Sequence, residues 1–126
     1  MNGRRRLIPR GTPIFEPWDI VKVPFPYIER PVRQTRPALV IAANNGEAEY
    51  DLLWLAMITS SANRGWDGDV TISDLDAAGL PIPSIIRPAK LATAECREAV
   101  RLGQLAIADR KAVADYLRRR LTAVLG

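Results

Sequence analysis

The chemistry open to this chain is narrowed first by what it lacks. It has no histidine, which removes the usual general base near neutral pH and the commonest metal ligand. Its single cysteine, Cys96, closes no internal disulfide and has no second thiol with which to hold a metal. Hydrolytic chemistry would therefore rest on Arg, Asp, Glu, Ser, Thr or a bound ion. Arginine is the residue in excess: of 18 Lys and Arg, against 14 Asp and Glu, only Lys22, Lys90 and Lys111 are lysines. A guanidinium grips phosphate through two donors and stacks on bases, whereas an ammonium acts as a point charge. A solvated basic surface would show the same excess, so charge alone leaves both readings open. The arginines of the stretch 26–36 lie close to Tyr27, and Thr59-Ser60-Ser61 is followed by Arg64 and Trp66. Aromatic faces of this kind stack splayed bases, and core packing is the equal alternative for Tyr27 and Trp66. Hydroxyls at a strand end commonly bond their own backbone. Arg118-Arg119-Arg120 falls on a helix whose other face is apolar, which predicts a solvated face.

The elements that must position these residues follow from periodicity and punctuation. A length of 126 residues with 48% apolar and 25% charged residues suits one globular domain. Residues 1–17, rich in Arg, Pro and Gly, read as an irregular arm, with the domain at 18–126. Asp19 to Phe25 alternates, placing Val21, Val23 and Phe25 on one strand face and ending it near Pro24 or Pro26. Residues 26–36 are too polar and proline-broken for a core and read as a basic loop. Pro37 to Ala43 is a short strand stopped by Asn44-Asn45-Gly46. Tyr50 to Ile58 is a third strand, apolar enough to be buried on both faces, with Trp54 in the core. Residues 59–68 are loop by composition, and Asp69 to Ile72 is a short strand. Ser73 to Gly79 predicts a helical turn with Ser73 as cap and Gly79 as stop. Ser84 to Arg87 and Ala99 to Leu105 supply the last strands. Asp109 is expected to cap a helix to about Val124, with Val113, Tyr116, Leu117, Leu121 and Val124 at helical spacing. Short strands followed by one helix predict a strongly bent sheet or barrel carrying that helix. No apolar run reaches the ~18 residues needed to cross a membrane, and the basic start lacks the apolar stretch of a secretory signal. Both point to the cytoplasm.

In this order, from about Trp18 to Leu125, the segments resemble the MazF/PemK toxin family. Asp19 to Pro26 is similar to its opening strand, which is usually preceded by Gly where this chain has Trp18. Thr35-Arg36-Pro37-Ala38-Leu39-Val40 resembles its Arg-Pro-Ala strand entry, and Ala56-Met57-Ile58-Thr59-Ser60 the segment that carries its hydroxyl. Gly79 to Leu91 resembles a late segment of the PemK type, and Leu102-Gly103-Gln104-Leu105 the lead into the final helix. The resemblance implies a mainly β fold with a C-terminal helix, an SH3-like small barrel, assembled as a homodimer with RNA in a groove near the dimer interface. It implies an endoribonuclease that cuts single-stranded RNA without metal or cofactor, leaving 2′,3′-cyclic phosphate and 5′-hydroxyl ends. It also implies a cognate antitoxin with an acidic, disordered tail that competes with RNA, and contact with operator DNA only through that antitoxin.

The resemblance assigns roles to particular residues. Arg36 matches the family's catalytic arginine: it ends the basic loop while Pro37 opens a rigid strand, so its head can stabilise charge growing on the phosphate. The plain alternative is a surface arginine before a strand-opening proline. Thr59 matches the catalytic hydroxyl, with Ser60 and Ser61 able to share its task. Arg87 matches an arginine of the PemK-type site. There the chain departs from the pattern, because an acidic residue is expected two positions later and Ala89 stands there, followed by Lys90. Glu29 is the substitute candidate for the general base, or else a salt bridge within its loop. Arg30, Arg33 and Arg64 would contact phosphates, and Lys90 adds positive charge. Two rival readings keep a basic barrel without catalysis: a CcdB-like toxin that grips a topoisomerase, and a nucleic-acid-binding regulator. The C-terminus at Leu125-Gly126 lacks the aromatic end of the CcdB type.

Overall fold

The computed structural model describes residues 14–25, 34–44 and 51–126. The alternating segments become strands: β1 (Asp19–Phe25), β2 (Gln34–Ala43), β3 (Leu52–Ser60), β4 (Val70–Thr71), β5 (Ser84–Glu95) and β6 (Val100–Gln104). A short helix α1 (Leu75–Ala78) separates β4 from β5, and α2 (Ile107–Leu125) ends the chain. The strands form one antiparallel sheet in the order β4-β5-β3-β2-β1-β6, curled into a half-barrel with the C-terminal helix beside it.

Period-two alternation sends side chains to both faces of this sheet. Ile20, Leu39, Ala56, Ile58 and Ile86 pack on one face with Ala78 of α1 and Val113 of α2. Val21, Val23, Ala38, Val40, Leu53 and Leu55 pack on the other with Phe15, Cys96 and Ala99. The curl brings the sheet's two edges together, since α1, which follows edge strand β4, rests on β6 at the opposite edge. That approach is close enough to require glycine. A Cβ on Gly103 would strike the Ala77 and Ala78 backbone, and one on Gly79, whose φ is +73°, would strike the Leu102 carbonyl.

Two buried carboxylates fasten the periphery. Asp19, 1% exposed, accepts hydrogen bonds from the Glu16 N–H, Gln104 and the Arg101 guanidinium, the last at 2.8 Å. Burial alone would raise its pKa, but these hydrogen bonds and the Arg101 charge outweigh it and hold the pKa below the usual 3.8. Asp109 accepts from both the backbone N–H and the hydroxyl of Ser73, at 2.8 and 2.9 Å.

That contact corrects two expectations. Asp109 lies inside the first turn of α2, whose N-cap is Ala106, and ties the helix to the β4–α1 connection. Ser73 is therefore occupied, and Asp74 caps α1 by accepting from the Ala77 N–H. Trp54 is 58% exposed, whereas its strand neighbours Leu53 and Leu55 are buried, so it lies outside the core that its apolar strand predicts. Leu121 and Val124 continue the helical apolar period of α2 but are 38% and 81% exposed; Leu121 lines an open groove with Trp18, Val40 and Ile41. β5 continues past the expected Arg87 to Glu95 by bulging: Arg87 pairs with Met57 while Leu91 pairs with the adjacent Ala56. Pro88, which has no N–H to give a ladder, falls inside this bulge.

Candidate active site

One end of the second face turns from apolar to polar. β2 begins at Gln34, three residues before Pro37, so Arg36 belongs to the strand instead of ending a loop, and it pairs with Val23 of β1. Extending the β2–β3 register two residues beyond Ala38↔Met57 sets Arg36 opposite Thr59. Thr59 pairs with Ile85 on β5, and Arg87 pairs with Met57, one diagonal step away. Paired residues of antiparallel strands share a face. Arg36, Thr59 and Arg87 thus continue the row of Val40, Ala38 and Leu55 at its polar end.

The three differ in environment. Arg36 is exposed, and its guanidinium reaches the Gln34 side chain at 3.4 Å. Thr59 is half-buried, and its Oγ1 accepts from Asn63 Nδ2 at 2.9 Å. Arg87 is buried, 8% exposed. Its Nε and Nη2 donate to the two carboxylate oxygens of Asp69 at 3.0 and 2.9 Å, and Nη2 also donates to the Asn63 carbonyl at 2.7 Å. The β4–β5 register Val70↔Ile86, extended by one residue, makes Asp69 and Arg87 direct cross-strand neighbours.

Asp69 organises the connection above them. Its Oδ2 also accepts from the backbone N–H groups of Gly65 and Trp66, both at 3.0 Å. The Arg87 hydrogen bonds hold its pKa below 3.8 against the opposing effect of burial, helped by the Trp66 and Gly65 N–H groups and the Arg87 charge. The same partnership raises the Arg87 pKa, so both groups stay charged. Trp66 lies with its ring 4.1 Å from the Arg87 guanidinium carbon and remains 52% exposed, which leaves a flat surface at the edge of the polar end.

The hydroxyls divide in use. Ser60 caps the 3₁₀ turn Ser61–Asn63 by accepting from the Ala62 N–H at 3.2 Å, the backbone-bonding role common for such residues. Arg64 is exposed and donates to the Ser61 carbonyl at 3.1 Å. Lys90 is exposed in the β5 bulge, three residues beyond Arg87. Tyr27, Glu29, Arg30 and Arg33 lie outside the described residues. Arg118, Arg119 and Arg120 are all exposed, with Arg118 paired to Asp115 at 2.7 Å. Sequence reasoning missed Asn63 and Asp69. The acid that faces Arg87 stands 18 residues upstream and is adjacent only through the β4–β5 pairing, which an expectation placed two residues downstream of Arg87 does not consider.

Residues 16–121 match the family model described as PemK-like, MazF-like toxin of type II toxin–antitoxin system. No curated protein matches the chain.

Proposed function

This chain belongs to the PemK-like, MazF-like family of toxins of type II toxin–antitoxin systems, and from that premise we propose that it is a metal-independent endoribonuclease acting on single-stranded RNA. What supports this reading is the shared sheet face of Arg36 and Thr59, each two residues beyond the last β2–β3 pair, Ala38↔Met57. An exposed cation rooted in a strand, beside a half-buried hydroxyl, suits a phosphodiester: Arg36 holds the non-bridging oxygens while Thr59 donates to one of them or orients the ribose. In the reaction the 2′-oxygen forms a bond to phosphorus as a base removes its proton. The bond from phosphorus to the 5′-oxygen breaks, and that oxygen takes a proton to leave as a 5′-hydroxyl. The products are a 2′,3′-cyclic phosphate and a 5′-hydroxyl end.

Arg36 works by electrostatic stabilisation, the role of a preorganised cation at the charge growing on the phosphate. Arg87, closed in by Asp69, Asn63 and Trp66, enters the site through those partners. Trp66 offers its free surface to a base, and Arg64 and Lys90 supply phosphate contacts whose effect on affinity falls with salt. Ser61 stands ready beside Thr59. Glu29 is the proposed general base, and Tyr27, Arg30 and Arg33 complete the RNA contacts. The protein works as a cytoplasmic homodimer restrained by an antitoxin whose acidic tail competes with RNA. No helix among the described residues is long and apolar enough to cross a membrane.

The test is incubation of purified protein with mixed-sequence single-stranded RNA in EDTA, with fragment ends read by mass spectrometry. Wild type should give cyclic-phosphate and 5′-hydroxyl ends. Arg36→Ala should cut about 10²–10³ times more slowly, the usual loss for one preorganised donor, with nearly unchanged RNA binding. A folded, antitoxin-free wild type that leaves RNA intact would refute the ribonuclease reading.

A further inference from the structure

We infer that Asn63 is a positioning residue for Thr59, its side-chain amide fixing the direction in which the Thr59 hydroxyl offers its proton. The inference rests on the ribonuclease reading of the site. A hydroxyl accepts through two lone pairs and donates one proton. Asn63 Nδ2 occupies an acceptor position on Oγ1 at 2.9 Å, and among the described residues nothing accepts the hydroxyl proton. The proton is thereby directed away from the 3₁₀ turn, toward the open face shared with Arg36, where a phosphate oxygen would receive it.

The amide can do this because its backbone is held. Asn63 ends the 3₁₀ turn, and its carbonyl accepts from Arg87 Nη2 at 2.7 Å. Arg87 is in turn fixed by both oxygens of Asp69. The other end of the turn is fixed by the Ser60 cap on the Ala62 N–H. Asp69, Arg87, Asn63 and Thr59 form a run in which each residue holds the next, and only its far end is buried. An exposed side-chain pair held by itself gains little over water. Held from behind, the same pair becomes a preoriented donor, and preorientation is what makes a hydrogen bond useful at a developing charge.

The experiment compares wild type, Thr59→Ala, Asn63→Ala, Asn63→Asp and the Thr59→Ala/Asn63→Ala double variant as full-length proteins, each checked for unchanged thermal unfolding. Single-turnover cleavage of a mixed-sequence RNA is measured beside binding of the same sequence with 2′-O-methyl groups, which cannot react. Asn63→Ala should slow cleavage about tenfold, the effect of one neutral hydrogen bond, and leave binding unchanged. Asn63→Asp should be slower still, since a carboxylate only accepts and would turn the hydroxyl proton back toward the turn. The double variant should be no slower than Thr59→Ala, because Asn63 acts through that hydroxyl. Cleavage by Asn63→Ala or Asn63→Asp at the wild-type rate overturns the inference and leaves the ribonuclease reading standing. So does a double variant slowed by the full Asn63 factor beyond Thr59→Ala. A wild type that does not cut, or a Thr59→Ala variant that cuts as well as wild type, overturns that reading and the inference with it.

Discussion

Replacing Asp69 with alanine should destabilise the protein far more than an ordinary loop substitution, and the structure sets the size. The change removes a carboxylate that accepts four hydrogen bonds: from Arg87 Nε and Nη2 and from the Gly65 and Trp66 N–H groups. The Asp69 and Arg87 side chains are 10% and 9% exposed. Removing one member of a buried pair typically costs 3–5 kcal/mol, because the survivor is left charged and unpaired. Arg87 keeps the Asn63 carbonyl, and a connection at the surface can open to let water in, so the low end applies, about 3 kcal/mol. With an unfolding entropy of about 2.1 cal/mol/K per residue, a chain of 126 residues should lose about 11 °C in Tm. Calorimetry on Asp69→Ala, Arg87→Met and the double variant measures this. The double variant, with neither charge, should recover to within about 1 kcal/mol of wild type, and hydrogen exchange at Gly65 and Trp66 should accelerate wherever Asp69 is absent. A single variant within about 0.5 kcal/mol of wild type, the ordinary surface range, would refute the reasoning. A double variant as unstable as Asp69→Ala would do the same, since the cost would then lie in backbone packing instead of a stranded charge.

Acid should destabilise the fold through Asp19 and Asp69, whose folded pKa values both lie below the ordinary 3.8. A carboxylate lowered on folding contributes stability that is complete above its unfolded pKa and lost as pH falls through the folded one. Urea midpoints should thus be level from pH 7 to about 5 and fall below about pH 4; level midpoints down to pH 2 would contradict this. Gly103→Ala should cost about 1–3 kcal/mol by overpacking, because the added Cβ meets the Ala77 and Ala78 backbone, which cannot yield as a side-chain tip can; chemical denaturation gives the value. Cys96 is 1% exposed, and burial, reinforced by the Asp51 charge, pushes its thiol pKa up. It should resist thiol reagents in the native state and react at the ordinary rate in urea.

The sheet was largely legible because alternation is a local signal: β1 occupies the residues that the alternation of Val21, Val23 and Phe25 predicts. Gly79 reads as a helix stop from its type alone and takes the left-handed φ. What failed depended on distant residues. Asp109 looks like a helix cap in the sequence, but its Oδ2 accepts from Ser73, 36 residues away. Trp54 looks buried because its strand is apolar, yet only its neighbours Leu53 and Leu55 on the other face are buried. Trp18 shows a subtler case. It has a φ of +79° where the resemblance expects glycine, a conformation an L side chain pays for with roughly 1–2 kcal/mol. Its ring packs against the first core cluster and lies 5.6 Å from the Arg110 guanidinium carbon, contacts that offset the strain and that glycine would lack. The placement of Arg36 opposite Thr59 follows from register, which two strand patterns alone do not specify.

The two arginines of the site differ in a way that bears on the missing acid. The resemblance implies a carboxylate two residues beyond Arg87, where this chain has Ala89. Asp69, just before β4, supplies negative charge to Arg87 instead, but it cannot serve as the general base. Four hydrogen bonds favour its ionised form, and a proton acceptor stabilised in that way has little drive to take a proton. Its charge is spent on holding Arg87, and through Arg87 the Asn63 carbonyl and the Trp66 ring. Arg36 has the opposite setting: it is exposed, on a strand that β1 pairs from one side. The expected separation is that loss of Asp69 acts on stability and on the 61–69 connection, whereas loss of Arg36 acts on cleavage. The counter-charge of Arg87 comes from Asp69, 18 residues upstream, which reaches it only in the folded sheet.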